Sequence, residues 1–110
     1  MAKAQINLDA VGGGGGNAQY YNETHTDLTV SGWIPDIVFT EGSLVYVYNT
    51  TRENDFYAYG VIRNGALKTK YNTSAVVTLT LGADNKITIT TSNSTARAET
   101  WNILACVAPV

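Results

Sequence analysis

Apolar and polar residues alternate along most of this chain, and this period of two limits what it can fold into more than any other feature. Leucines alternate with threonines over Thr78–Leu81, and isoleucines alternate with threonines over Lys86–Thr90. Successive side chains of a β-strand point to opposite faces of its sheet, so this pattern indicates strands with one dry and one wet face. No segment shows the 3.6-residue period of an amphipathic helix. The chain is therefore predicted to be all-β.

Turn-forming residues separate the alternating segments and set the number of strands. Asn64-Gly65 is the strongest signal, because both residues tolerate positive φ and so predict a two-residue type I′ hairpin turn. A second hairpin is predicted across Gly82–Asn85. With 110 residues, the chain is expected to form an antiparallel β-sandwich of jelly-roll type, with eight or nine short strands.

The predicted strands cover residues 2–10, 27–31, 36–40, 43–49, 56–62, a segment beginning at 66, and then 75–81, 86–91 and 100–107. The predicted core residues are those on the apolar side of the last strands: Leu79, Leu81, Ile87, Ile89, Trp101 and Ile103.

Five consecutive glycines, Gly12–Gly16, interrupt the strand pattern near the N-terminus. They bring no side chains for packing and lose the most backbone entropy on ordering, so they predict a flexible tether. On this interpretation residues 1–16 form an extended N-terminal arm with its tether, and residues 17–110 form the β-sandwich domain. A long hairpin loop within one domain is an equally good interpretation of the same run.

The low charge of the chain excludes several classes of function. Charged residues make up 15% of it, compared with about 25% in an average domain, and the net charge is −2. Nucleic-acid binding needs a positive surface, which this balance does not provide. No apolar run reaches the length of a membrane span, and residues 1–11 do not resemble a signal peptide. Cys106 is the only cysteine, and its apolar surroundings predict a buried, inert thiol.

Tyrosines are the most promising surface residues. Tyr46 and Tyr48 are two positions apart, as are Tyr57 and Tyr59, so each pair lies on one face of its predicted strand. If the two strands are neighbours, four rings form one patch, to which Trp33 could add. Such rings stack on sugar faces and make rigid contact surfaces. The preferred alternative is that cross-strand aromatic pairs simply stabilise the sheet.

Residues with catalytic chemistry are few and poorly spaced. His25 is the only histidine, and Glu23 and Asp27 flank it at i−2 and i+2, which is a weak metal-binding pattern. An exposed polar loop that begins a strand is the preferred interpretation of this segment. No nucleophile motif accompanies His25. The chain is therefore expected to be a non-enzyme without catalytic residues, cofactor or metal. Other acids fall in predicted turns, where they are common: Glu41, Glu53, Asp55 and Asp84.

Three segments together carry a family resemblance. They are the glycine run Gly12–Gly16, the corner Gly32-Trp33-Ile34-Pro35-Asp36-Ile37-Val38, and the strand-turn-strand Val76–Thr91 that leads into Thr100–Leu104. In this combination the chain resembles the small β-sandwich proteins and modules of bacteriophage virions: head decorations, head fibres and tail-fibre or receptor-binding tips. Such modules are commonly trimeric, lack cofactors, and attach by one end while presenting loops at the other.

The resemblance implies a virion structural protein that works through assembly contacts and surface display. Its partners would be copies of itself, with a trimer favoured, and other virion proteins, which the arm would contact through Ile6, Leu8 and Val11. Self-association is also expected because open sheet edges need cover and few charges are available to blunt them. The alternative function is a carbohydrate-binding module, whose tyrosine and tryptophan patch would bind a host-surface glycan.

Overall fold

Eight β-strands and one four-residue helix make up the secondary structure of the described residues. The computed structural model describes residues 3–8, 17–51, 56–72 and 77–109. The elements in chain order are β1 (Lys3–Leu8), β2 (Ala18–Thr26), β3 (Leu44–Asn49), β4 (Tyr57–Arg63), β5 (Ala66–Asn72), β6 (Val77–Leu81), β7 (Ile87–Thr91), α1 (Ser94–Arg97) and β8 (Thr100–Val107). The prediction of an all-β protein is confirmed.

Every described strand pair is antiparallel, as predicted. Six strands form one sheet in the order β1-β2-β8-β3-β4-β5, and β6 and β7 form a separate two-stranded sheet. The last strand, β8, pairs with β2 on one side and with β3 on the other. The C-terminal strand therefore lies inside the larger sheet, next to β2 from the N-terminal part of the chain.

One hydrophobic core contains residues from both sheets. The larger sheet contributes alternate residues from one of its faces, here called the inner face: Val45, Val47, Ala58, Ile62, Trp101, Ile103, Ala105 and Val107. The hairpin β6–β7 contributes Val77, Leu79, Ile87 and Ile89. The predicted core residues are buried, except that Leu81 is only partly buried against the cluster. The opposite face of the six-stranded sheet is called the outer face.

Both predicted hairpins are confirmed. Asn64 and Gly65 have φ angles of 56° and 70°, the positive pair that a type I′ turn requires, and they join β4 to β5. The second hairpin joins β6 to β7, where the backbone N–H of Gly82 donates to the carbonyl of Lys86 over 2.9 Å. The conformation of the turn residues therefore determines the register of these strands.

The predicted strand at residues 27–31 is wrong, because the strand in this region, β2, ends at Thr26. Asp27 has a φ of 71°, which takes the chain out of the extended region. The N–H of Gly32 then donates to the carbonyl of Thr29 over 2.9 Å and closes a turn that leaves Val30 81% exposed. The interpretation of the segment around His25 as an exposed loop is also wrong, because this residue pairs with Trp101 of β8.

Residues 36–40 alternate between exposed and buried positions, but they are not the strand that was predicted. Ile37 and Phe39 enter the core, as their alternation predicted. The N–H of Phe39 donates to the carbonyl of Asn85, whereas the N–H of Ile37 turns back to Pro35 over 2.8 Å. This tight local bond bends the chain, so no continuous ladder forms.

A helical turn, α1, lies between the predicted strands at residues 86–91 and 100–107. The side chain of Asn93 accepts a hydrogen bond from the N–H of Ala96 over 2.9 Å, which caps the first turn of α1. The indole N–H of Trp101 donates to the carbonyl of Ala96 over 2.8 Å. The helix is therefore held at both ends of its short length.

The N-terminal strand belongs to the six-stranded sheet. β1 pairs with β2, with Ile6 opposite Tyr20 and Leu8 opposite Ala18. Val11 and the run Gly12–Gly16 lie outside the described residues, so the tether and the boundary at residue 16 stay predictions. In the described ranges, no helix has the length and apolar character needed to cross a bilayer.

Candidate functional site: the outer face of the six-stranded sheet

The strand register arranges the outer face in three rows that cross the sheet. Directly opposed residues of antiparallel strands share a face, so each row can be read from the pairing. In the order β2, β8, β3, β4, the first row is Tyr20, Cys106, Leu44 and Val61, and the second row is Asn22, Leu104, Tyr46 and Tyr59. The third row is Thr24, Asn102, Tyr48 and Tyr57.

The four tyrosines of β3 and β4 meet as the sequence predicted, and they are called the tyrosine patch. Tyr46 stacks on Tyr48 with ring centroids 5.0 Å apart and an interplanar angle of 23°. The same ring meets Tyr57 and Tyr59 edge-on, at 6.2 Å and 6.4 Å. Both geometries are favourable for aromatic rings. Tyr46 is therefore the centre of the patch, and it touches all three partners.

The polar side chains of the third row bond to one another. The hydroxyl of Thr24 donates to Oδ1 of Asn102 over 2.8 Å, and Nδ2 of Asn102 donates to the hydroxyl of Tyr48 over 3.2 Å. Asn102 is only 5% exposed. Its amide is thus committed to its neighbours, and little of it remains to bind a ligand.

A shallow depression of about 440 Å³ lies over the first two rows, and apolar atoms form almost all of its lining. Tyr20, Leu104 and Cys106 line it from β2 and β8, while Leu44, Tyr46 and Tyr59 line it from β3 and β4. Leu44 and Tyr59 are 55% and 42% exposed, so they present apolar surface to solvent at this depression. Exposed apolar surface of this kind commonly marks an interaction site.

The three rows consist entirely of uncharged residues. Within them, burial raises the pKa of the Tyr46 phenol above its ordinary value, and the neighbouring Tyr48 adds to this rise. Tyr46 therefore stays neutral over the whole physiological range, and the three rows remain without charge. Lys68 of β5, opposite Val61, and Arg63 at the end of β4 place positive charge on the same face outside these rows.

Trp33 belongs to the core and not to this patch, although the sequence grouped it with the tyrosines as a candidate surface residue. Its side chain is 6% exposed and belongs to the core cluster. The indole stacks on the imidazole of His25, with centroids 4.9 Å apart and planes 12° apart, and its backbone bridges to Ile89. Trp33 thus fixes the 29–33 turn against β7.

His25, Glu23 and Asp27 do not form a metal centre. Glu23 is 3% exposed and one of its carboxylate oxygens has no hydrogen-bond partner among the described residues. His25 stacks on Trp33, and Asp27 lies beyond the end of β2 in an exposed position. Within the parts of the chain that the structure describes, no group of three or more His, Cys, Asp and Glu side chains could hold a metal ion.

The acids that fall in described turns bind backbone groups of turns. The carboxylate of Glu41 accepts from the N–H groups of Asn64 and Gly65, and Asp84 accepts from the N–H of Lys86 over 3.2 Å. Glu53 and Asp55 lie outside the described residues. Glu41 and Asp84 therefore have structural roles in their hairpins.

Sequence reasoning found the tyrosine patch but not the rest of the three rows. Tyr20, Leu44, Leu104 and Cys106 complete the apolar part, and the prediction that Cys106 is buried is wrong because it is only partly buried there. The alternation over Thr100–Val107 separated its two faces, but both faces of β8 carry apolar residues. That double-sided pattern was the available signal, since a strand with apolar residues on both faces is covered on both sides.

Comparisons with known proteins leave the family of this chain open. A scan against protein-family models, a search of curated proteins and a search of solved structures each gave no match. The outer face itself is therefore the basis for assigning a function.

Proposed function

We propose that this chain is a non-enzymatic structural protein of a bacteriophage virion, such as a capsid decoration, head fibre or tail-fibre module. It works through assembly contacts and displays its loops on the particle surface. The observation that carries the proposal is the outer face, whose three uncharged rows contain the tyrosine patch and the apolar depression. The resemblance of the sequence to small virion modules is the reason for proposing that this assembly takes place on a phage particle.

The proposed architecture is a β-sandwich of jelly-roll type, in which the hairpin β6–β7 and the six-stranded sheet are the two layers. The shared core of the two sheets supports this arrangement. The N-terminal arm, with Ile6, Leu8 and Val11, contacts another virion protein or a neighbouring copy. The position of β1 at the edge of the sheet supports this role, because an edge strand offers unpaired backbone groups to a partner. A trimer is the proposed assembly.

Assembly is favoured over sugar binding by the chemistry of the depression. A sugar site needs polar groups that converge on hydroxyls beside the stacking ring. Here the lining is almost wholly apolar, and the amide of Asn102 is already bonded to Thr24 and Tyr48. Protein interfaces, in contrast, are enriched in tyrosine and depleted of charge at their centres.

Mass spectrometry of purified particles tests the virion proposal. Trypsin should release the peptides Tyr71–Lys86 and Ile87–Arg97. Both are expected in particles banded by density from the culture that produces the protein, at a constant ratio to the major capsid protein. Recovery of these peptides only from the particle-free supernatant would contradict the proposal.

A carbohydrate-binding module is the second candidate. The stacked rings of Tyr46 and Tyr48 and the partly exposed ring of Tyr59 could also pack against the face of a sugar. A glycan array with the wild type, Tyr46→Ala and Tyr57→Ala decides between them. Thr80→Ala, on the exposed face of β6, is the matched control. Retention of one glycan that both tyrosine variants lose and the control keeps would establish this alternative.

A further inference from the structure

We propose that a cleft on the inner face of the six-stranded sheet binds one unit of a neutral saccharide. The cleft has a volume of about 540 Å³ and lies where β2 begins and β8 ends, beside the segment 36–40. Sites for small molecules usually have volumes of about 300–1,000 Å³. The inference goes beyond the proposed function, because it concerns a surface other than the outer face.

The floor of the cleft is the beginning of β2. Gln19 and Tyr21 are paired with Val107 and Ala105 of β8, which belong to the core on the inner face. Opposed residues share a face, so Gln19 and Tyr21 lie on the inner face too, and Asn17 lines the same cleft two positions earlier. The inner-face positions of β8 are all apolar. At this edge of the core, β2 instead presents amides and a phenol.

The wall of the cleft is the segment 36–40. Ile37 and Phe39 are 1% and 3% exposed, so these two side chains anchor the segment in the core. The residues that alternate with them, Asp36, Val38 and Thr40, line the cleft. The wall therefore carries one carboxylate, one apolar group and one hydroxyl.

Hydrogen bonds hold the wall in place. The hydroxyl of Thr40 donates to the carbonyl of Ala108 over 2.6 Å, and the N–H of Ala108 donates to Oγ of Ser43 over 3.1 Å. The N–H of Phe39 donates to the carbonyl of Asn85 over 2.8 Å. A ligand of a preformed cleft does not have to order the protein when it binds, which favours affinity.

The polar groups of the cleft suit hydroxyls. The hydroxyl of Tyr21 donates to Oε1 of Gln19 over 2.7 Å, so the NH₂ group of this amide is the part that can donate to a ligand. Asn17 provides a second amide, and Asp36 provides carboxylate oxygens on the opposite side. A sugar hydroxyl both donates and accepts, so one saccharide can satisfy amide donors and the carboxylate together.

The remaining lining fits the rest of a sugar ring. Val38 is 55% exposed, and Pro109 also lines the cleft, so apolar surface is available for the C–H groups of the ring. Charge favours a neutral ligand. The carboxylate of Asp36 repels anions, and its ion pair with Lys86, with Nζ 3.1 Å from Oδ1, cancels its attraction for cations.

An extended peptide fits this cleft less well than a saccharide. Peptides that bind to sheets usually add a strand to an open edge and pair with its backbone. The two strands at the floor of the cleft, β2 and β8, already have a neighbour on each side. The cleft therefore offers side-chain groups for a ligand and no open strand edge.

A titration of ¹⁵N-labelled protein with free sugars tests the inference. The probes are glucose, galactose, mannose and N-acetylglucosamine, each added to about 50 mM. We expect at least one of them to shift the backbone amide signals of Gln19, Val38 and Ala108. The shifts should saturate with a dissociation constant of about 1–10 mM, because a single sugar unit offers few atoms for contact.

Three variants locate the sugar. Asp36→Ala removes the acceptor and should raise the dissociation constant about tenfold or more. Lys86→Met breaks the same ion pair but keeps the carboxylate, so it should change the constant by less than about twofold. Tyr46→Ala removes the centre of the tyrosine patch and should leave binding unchanged. The dispersion of the amide signals verifies in the same spectra that each variant is folded.

The absence of saturable shifts with all four sugars would overturn the inference. So would shifts confined to the amides of Leu44, Tyr46 and Tyr59, because the sugar would then bind at the outer face. Equal weakening by Asp36→Ala and Lys86→Met would also contradict it, since the ion pair and not the acceptor would then be responsible. The virion proposal is tested separately by the two tryptic peptides, and neither result decides the other.

Discussion

The carboxylate of Glu41 accepts a hydrogen bond from the backbone N–H of Asn64, with Oε2 2.6 Å from the nitrogen. Its other oxygen accepts from the N–H of Gly65 over 3.1 Å. A side chain from the turn before β3 thus holds the hairpin turn between β4 and β5. These two backbone bonds lower the pKa of Glu41, and the nearby Arg63 contributes to the same direction.

This relationship predicts an acid-dependent loss of stability. Because the folded-state pKa of Glu41 lies below that of the unfolded chain, about 4.5, its contribution is fully present above that value. It is lost as pH falls through the lower, folded-state pKa. We expect the urea midpoint of the wild type to decrease below about pH 4.5 more steeply than that of Glu41→Gln.

Asp84→Asn is the matched control, since it changes another acid that binds a turn N–H. The urea midpoint of Asp84→Asn should still show the decrease at low pH that depends on Glu41. If the urea midpoints of the wild type and Glu41→Gln fell in parallel as the pH decreases, Glu41 would not be the source of the acid-dependent loss of stability.

Gly32 and Gly65 provide a second prediction, because both have positive φ but different surroundings. A Cβ at Gly32 would lie 2.6 Å from the carbonyl oxygen of Ile89, whereas a Cβ at Gly65 would meet nothing within 4 Å. Gly65→Ala should therefore cost only the backbone penalty, about 1–2 kcal/mol of unfolding free energy. Gly32→Ala should cost clearly more, since the Trp33–Ile89 bridge must also shift. Urea unfolding measures both, and equal losses would contradict the close approach.

The sequence predicted the parts of the fold that local chemistry controls. Alternation located β3, β4, β6, β7 and β8, and Asn64-Gly65 located a hairpin to the residue. The meeting of Tyr46 and Tyr48 with Tyr57 and Tyr59 followed from two i, i+2 pairs and one assumption, that their strands are neighbours. These signals are readable because strand period and turn conformation are properties of short segments.

Long-range pairing decided what the sequence did not reveal. The strand β2 is rich in polar residues, and its extended form depends on pairing with β8, which lies about eighty residues further along the chain. Glu23 even directs a carboxylate to the buried face, which no alternation rule anticipates. The helix α1 is too short to show a period, although Asn93 is a preferred N-cap residue.

The placement of Trp33 leads to a third prediction. Because the indole is buried in the core, Trp33→Ala should cost about 3–5 kcal/mol of unfolding free energy. His25→Ala removes one stacked partner and should cost about 0.5–1.5 kcal/mol from the ring contact. Chemical denaturation monitored by circular dichroism gives both values. An unchanged stability for Trp33→Ala would show that the indole is a surface residue after all.

The ionisation of Tyr46 provides the last prediction. Burial and the neighbouring Tyr48 raise its pKa in the folded protein above the value of about 10 that the unfolded chain has. Its contribution to stability is therefore fully present below about pH 10 and is lost as pH rises through the higher, folded-state pKa. In a titration followed by phenolate absorbance, Tyr46→Phe should remove a late step that Tyr59→Phe retains. A late ionisation step that survives in Tyr46→Phe would show that the raised pKa belongs to another tyrosine.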